Sequence, residues 1–181
     1  RLKSQIEDMS GLRRGNVRIA CSQALVPFFL PQEISEFRSR FPQVRFSVEV
    51  QDHGVALRML RDFESDLAIV FRPDRSPDIH PLFVLGQRLV AIMHRDHPLA
   101  EKDQLRLRDC AAYPVALPSS GFGTRAIIDD LLAGSSTRFD VQLQSNSFEM
   151  LRNLALSGEV VTFQAEIGAP RRTLSRQAPR I

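Results

Sequence analysis

At 181 residues with 43% hydrophobic content, the chain is long enough for one domain or two small lobes with a sizeable core. It holds no run near the roughly 18 apolar residues that span a membrane, and its opening Arg1–Asp8 stretch is polar where an export signal needs an apolar centre. The net charge of +3 sits at the ends: residues 1–18 carry five basic and two acidic groups, residues 166–181 carry four arginines against Glu166, and residues 19–165 carry 15 basic and 18 acidic groups, which denies the body the clustered positive charge of a nucleic-acid surface. Cys21 and Cys110 are too few for a disulfide framework, so a reducing cytoplasm is the expected compartment.

Residues 1–14 read as a helix, with Leu2, Ile6 and Met9 near one face and Gly11 and Gly15 at its end. It is too short to stand alone, so it reads as the tail of a longer helix or as a disordered end. Val17, Ile19 and Cys21 alternate as a strand, and a helix is expected over 24–41, where Leu30, Ile34, Phe37 and Phe41 keep helical spacing up to Pro42. Val44, Phe46, Val48 and Val50 alternate strictly as a second strand. Asp52 is placed to cap a helix carrying Val55, Leu57, Leu60 and Phe63. Leu67 to Phe71 is a continuous apolar run, as in a buried parallel strand.

Ile79 to Met93 is long and apolar, interrupted at Gly86-Gln87-Arg88, and suits a crossing strand that enters a second lobe. His94 to Arg108 is polar and reads as a surface loop. The plan then repeats: a strand at Val115–Leu117, a helix over 123–133, a strand at Phe139–Leu143, a helix over 147–157 and a strand at Val160–Phe163. Asn146 and Glu149 have the spacing of a capping box, and Gly158 closes that helix. After Ile167 no period persists. Two β-α-β-α-β runs of this kind bring strand carboxyl ends and helix amino ends to facing sheet edges, where open α/β sheets bind small molecules.

Five fragments carry a resemblance: Gly15-Asn16-Val17-Arg18-Ile19, Leu30-Pro31, Phe41-Pro42-Gln43-Val44, Asp66-Leu67-Ala68-Ile69-Val70 and Asp96-His97-Pro98-Leu99-Ala100. In this order and spacing, residues 15–170 resemble the effector-binding domain of a LysR-type transcriptional regulator. The resemblance implies an α/β fold of two Rossmann-like lobes with a ligand cleft between them, like the type 2 periplasmic binding proteins. It divides the chain into the end of a linker helix at 1–14, lobe I at 15–86, lobe II at 87–162 and a truncated crossover back toward lobe I at 163–181. It implies a small-molecule effector, a homodimer or homotetramer, contact with RNA polymerase, and DNA contact only through an amino-terminal winged helix-turn-helix outside these residues; it implies no membrane partner. The chain departs from the family pattern at Gly158-Glu159-Val160, where two glycines are usual, and in the segment after Pro170.

The ligand-binding candidates follow the strands. Lobe I offers Ser22 and Gln23 after its first strand, Gln51 after its second, and Phe71 and Arg72 after its third; lobe II offers Ser119, Ser120 and Gly121, and Phe148 at a helix start. Free N–H groups and the helix dipole at such ends favour an anionic group. Each residue has a plainer role as well: Ser22 and the Ser119–Gly121 turn as helix caps, Arg72 as a solvated loop arginine rather than a carboxylate clamp, Phe71 as core, and Arg125 as the surface partner of Asp129.

No catalytic residue, metal ligand or cofactor site is assigned. There is no Gly-x-Ser-x-Gly elbow, phosphate loop or dinucleotide fingerprint, and His94 and His97 lack a third ligand of clear spacing. Cys21 reads as a small buried cysteine; as a nucleophile it would need a base, and His53 is the nearest in the pattern. The rivals to a regulator's sensing domain are a transporter's solute-binding protein and a two-lobed α/β enzyme using Cys21 and His53.

Overall fold

The computed structural model describes residues 14–73, 76–102 and 104–169. The expected helix at 1–14, up to Arg13, and the segment from Pro170 onward lie outside the described residues.

The first lobe is a parallel three-stranded sheet in the order β2-β1-β3, made of β1 (Arg14–Cys21), β2 (Gln43–Val50) and β3 (Leu67–Ile69). The β1–β2 pairing runs in one register from Arg14 opposite Gln43 to Cys21 opposite Val50. The helices are α1 (Phe29–Arg40) and α2 (His53–Arg61). The expected helix from residue 24 instead starts as a 3-10 turn at Gln23–Leu25 and becomes α-helical only at Phe29. Pro27 and Pro31 explain this: Pro31 is tolerated in the first turn of α1, but a continuous helix from 24 would place both prolines inside it. Asp52 caps α2 as expected, accepting from the Val55 N–H at 2.8 Å.

The second lobe is a four-stranded mixed sheet in the order β4-β7-β5-β6, with β4 (Leu89–Ile92), β5 (Pro114–Pro118), β6 (Asp140–Ser145) and β7 (Val161–Ala165). Strand β4 pairs antiparallel with β7, and the other pairs are parallel. A single-turn α3 (Leu107–Cys110) precedes β5, α4 (Gly123–Ala133) follows it, and α5 (Phe148–Leu156) links β6 to β7. Both faces of this sheet are covered. Val115, Leu117, Val161 and Phe163 pack with Ile128 of α4 and Cys110 of α3, whereas Val90, Ile92 and Ala116 pack with Leu151 and Ala155 of α5. That is the burial expected of parallel strands with helices on both sides.

Three sequence expectations are corrected. The cap of α5 is Ser147, whose hydroxyl accepts from the Met150 N–H at 3.2 Å, so Asn146 lies outside the helix and Glu149 is not at its third position. Strand β3 is shorter than the Leu67–Phe71 run and only half-buried, because it is an edge strand among the described residues. The 79–93 run is strand only at Leu89–Ile92; before it Leu82 is 88% exposed and Phe83 and Val84 are equally open to solvent.

Among the described residues the chain passes between the lobes twice, and the two passages lie side by side. The Glu166 N–H donates to the Arg88 carbonyl at 2.9 Å, and the Ile167 N–H donates to Gln87 Oε1 at 3.0 Å. Arg88 grips the Glu166 carboxylate with two parallel bonds, Nε to Oε2 at 2.7 Å and Nη2 to Oε1 at 2.5 Å. Ile167, just beyond β7, packs into the lobe I cluster of Ile19, Cys21, Leu25 and Leu30.

Candidate functional site

The carboxyl ends of the three parallel lobe I strands lie side by side, and the residues after β1 and β3 reach lobe II. The Ser22 N–H donates to the Ile69 carbonyl and the Gln51 N–H to the Cys21 carbonyl, both at 2.9 Å, so the three strand ends are held level. Across from them the Ser119 N–H donates to the Ser145 carbonyl at 2.9 Å, which levels β5 with β6.

Two candidates meet directly. Gln23 Oε1 accepts the Phe148 N–H at 2.5 Å, so a lobe I side chain takes a free donor at the start of a lobe II helix. Gln164 of β7 holds the same residue from the other side, its Nε2 donating to the Phe148 carbonyl at 3.1 Å. The Phe148 ring is buried and meets Phe122 edge-on with centroids 5.6 Å apart. Phe148 thus offers its backbone to the seam and its ring to the core.

Two more candidates cross the seam. Arg72, with a left-handed φ of +46°, forms an ion pair with Asp130 of α4. Its carboxylate partner is therefore a residue of this chain. Phe71 lies against the first residue of α4: a Cβ at Gly123 would stand 2.6 Å from the Phe71 carbonyl oxygen. Only glycine lets α4 come this close to lobe I.

The remaining candidates follow the ends of β1, β2 and β5. Ser22 is 9% exposed and occupies the cap position of the 3-10 turn, yet its hydroxyl makes no capping bond, so the cap role considered from sequence is not taken up. Gln51 and Ser119 are half-buried, Ser120 and Gly121 exposed, and Gly121 sits at φ +99°. Arg125 pairs with Asp129 at 2.8 Å as expected and also donates to the Pro118 carbonyl and Gln144, each at 2.9 Å.

Sequence reasoning missed Asp130, Gly123 and Arg152, whereas Gln164 was expected at the back of the cleft. Arg152 is an α5 residue, 9% exposed, whose guanidinium carbon stands 5.4 Å from the centroid of the Phe28 ring in lobe I. Burial pulls its pKa below the ordinary arginine value, against the opposing influence of Glu149.

The groups weighed for catalysis and metal binding are occupied structurally. Burial pushes the Cys21 thiol up to about 11, the wrong direction for a thiolate nucleophile. His97 Nδ1 accepts the Leu99 N–H at 3.2 Å, and its ring lies 4.5 Å from that of Tyr113, so it caps a turn. Among the described residues no group of three His, Cys, Asp or Glu is placed to hold a metal ion, and no helix is long and apolar enough to cross a membrane.

The chain is similar to the HTH-type transcriptional activator CmpR of Synechocystis sp., with 27% identity over 157 residues that cover 87% of this chain and 51% of that protein. The chain spans about half the length of the curated relatives it matches. Among solved structures it is similar to the Synechocystis CcmR regulatory domain in complex with 2-PG, at TM-score 0.71 and 25% identity, covering 85% of this chain and 74% of that one. It shares its fold with HinK, a LysR family transcriptional regulator from Pseudomonas aeruginosa, at TM-score 0.74 and 22% identity, covering 93% and 58%. The two lobes are thus those of the periplasmic-binding-protein type found in such regulatory domains. The model of the LysR substrate binding domain matches residues 10–176, a span that contains every described residue, and the chain belongs to that family.

Proposed function

We propose that this domain is the effector sensor of a cytoplasmic bacterial transcription regulator, and that a small anionic or aromatic metabolite binds in the cleft between its lobes. The observation that carries this reading is the pair of polar bridges across the seam, Gln23 to the Phe148 N–H and Arg72 to Asp130. In each, an acceptor from the protein satisfies a donor that a ligand oxygen can satisfy instead. A ligand that makes the exchange favours one lobe arrangement over another, and that difference in affinity is the physical content of sensing. The similar CcmR regulatory domain was solved in complex with 2-PG, and the free donors at the start of a helix favour a small anion in this chain.

The proposed ligand contacts are Ser22, Gln23, Gln51, Phe71, Arg72, Ser119, Ser120, Gly121 and the Phe148 backbone. Residues 15–86 are lobe I, 87–162 lobe II, and 163–181 the crossover back toward lobe I. The domain performs no catalysis; in the whole protein a winged helix-turn-helix reads DNA, and RNA polymerase is a further partner. Copies associate through α1 and β2, where Phe37 is 43% exposed beside Phe41 and Phe46. Phe37→Asp therefore preserves the circular dichroism spectrum and shifts size-exclusion elution to a smaller species.

Thermal unfolding against a panel of carboxylates, sulfonates and aromatic acids tests the cleft, with Ser22→Trp, its folding checked by circular dichroism, as the blocked variant. A ligand at 100 times its Kd adds roughly 2.7 kcal/mol of stability. A shift that disappears in the blocked variant supports the sensor; no shift with any compound sinks it.

A further inference from the structure

We infer that Arg152 is the recognition point for a carboxylate group on the ligand, held in the seam between α5 and the Phe28 turn of lobe I. This rests on the reading of the cleft as a ligand site and adds to it a residue and a ligand chemistry.

The buried stripe of α5 is Phe148, Leu151, Arg152 and Ala155, the i, i+3, i+4, i+7 spacing of a core-facing helix. Three of these are apolar and pack as that spacing demands. The fourth is a guanidinium in a place where leucine would pack. Arginine is rarely buried without a partner, because its five donors lose water and gain nothing. Here Nε and Nη2 are both buried, and neither has a hydrogen-bond partner among the described residues.

The geometry of the vacant donors is specific. Nε and Nη2 form one edge of the planar guanidinium, spaced to meet the two oxygens of a carboxylate. The same chain uses that edge twice. Arg18 takes Asp66 with Nε to Oδ2 at 3.3 Å and Nη2 to Oδ1 at 2.8 Å, and Arg88 takes Glu166 in the same manner. Arg152 presents the same two atoms with no carboxylate on them. The guanidinium carbon sits over the Phe28 ring, 5.4 Å from its centroid, and the Nε–Nη2 edge has no partner among the described residues.

No group among the described residues fills the edge. Glu149 lies one turn back on α5 and its charge is felt, but it is exposed and forms no ion pair with Arg152 among the described residues. The buried acceptors Gln164 Oε1 and Thr162 Oγ1 on β7 are themselves without partners, so neither receives an Arg152 proton. The location is that of the seam: the helix ladder joins the Arg152 N–H to the Phe148 carbonyl, and Phe148 is the residue that Gln23 reaches from lobe I.

The test is a nitrogen-15 NMR titration of the arginine Nε–H resonances in the full chain. Arg152 is assigned by the signal missing in Arg152→Gln, and the titrants are sodium acetate, sodium benzoate and inorganic phosphate, with sodium chloride matching ionic strength. The expected result is a saturable shift of the Arg152 signal with a carboxylate, and at least tenfold weaker binding of that carboxylate to Arg152→Gln by thermal shift. Arg152→Lys, which keeps the charge and loses the fork, falls between the two. A signal that moves with phosphate alone overturns the carboxylate assignment. A signal moved by Glu149→Gln and by none of the anions assigns the edge to Glu149 and overturns the proposal. A carboxylate that stabilises wild type and Arg152→Gln equally but fails on Ser22→Trp keeps the cleft and removes Arg152 from it. Binding sensed by Arg152 and untouched by Ser22→Trp keeps Arg152 and overturns the cleft reading instead.

Discussion

The two lobes share a plan but not a degree of closure. Lobe II sandwiches its sheet between α5 on one face and α3 with α4 on the other, and its two buried clusters hold ten and seven residues. The lobe I cluster holds four fully buried residues, with a ring of half-buried ones around them. Its β3 is an edge strand among the described residues, and the connecting Leu82–Leu85 segment exposes its side chains. The difference teaches that lobe II is the rigid platform. Lobe I takes part of its order from the seam, through Gln23, Phe71 and Arg72.

The largest expected effect tests that platform. Ile128→Ala, at a fully buried position in lobe II, should cost about 2–5 kcal/mol in urea unfolding, whereas Ile34→Ala, half-buried on α1, should cost about 1–2 kcal/mol. Equal costs would erase the distinction between the lobes. Next comes the seam. Gly123→Ala pushes a methyl group against the Phe71 backbone, which cannot swing aside, so a loss of about 1–3 kcal/mol is expected, with lobe I amides gaining hydrogen exchange before those of lobe II. Uniform exchange across both lobes would show that the seam does not support lobe I.

The third effect is a pH dependence. The Arg88 guanidinium, chiefly by hydrogen bonding, holds the Glu166 carboxyl below its ordinary value of 4.5. A carboxyl lowered in the folded state stabilises at pH above its unfolded value, and that stability is lost as pH falls through the folded value. The urea midpoint should therefore drop from roughly pH 5 downward, and Glu166→Gln should flatten that drop. An unchanged acid limb would mean other carboxylates dominate. The smallest effect is at the lobe II surface. Asp129→Ala should cost about 0.2–0.5 kcal/mol, since Arg125 keeps its bonds to the Pro118 carbonyl and Gln144.

Much of the frame was legible because it is local. Alternation at Val44–Val50, the Asp52 cap and the 123–133 helix each follow from neighbours in sequence. The cap of α5 was misplaced by one residue because Asn146 and Ser147 are both good caps, and only the helix path chooses between them. The run from Ile79 was over-read as strand, since apolar content does not distinguish a buried strand from an exposed connection. Asp130 was invisible as a partner because its contact joins residues 58 positions apart. Arg152 was legible and overlooked: an arginine four residues after Phe148, in step with Leu151 and Ala155, breaks the apolar stripe of its own helix.

The paired passages at Arg88 and Glu166 have a mechanical meaning. Two strands tied together by a backbone bond and a double guanidinium–carboxylate grip cannot slide past each other without breaking both. Most of the freedoms by which two rigid bodies shift are thereby removed, and turning about the tied pair survives. The tied pair is an axle, and the cleft residues stand out from it like the tips of two levers. A slight turn about the tied pair would carry the cleft residues with it, which is how so small a contact bears on the whole seam.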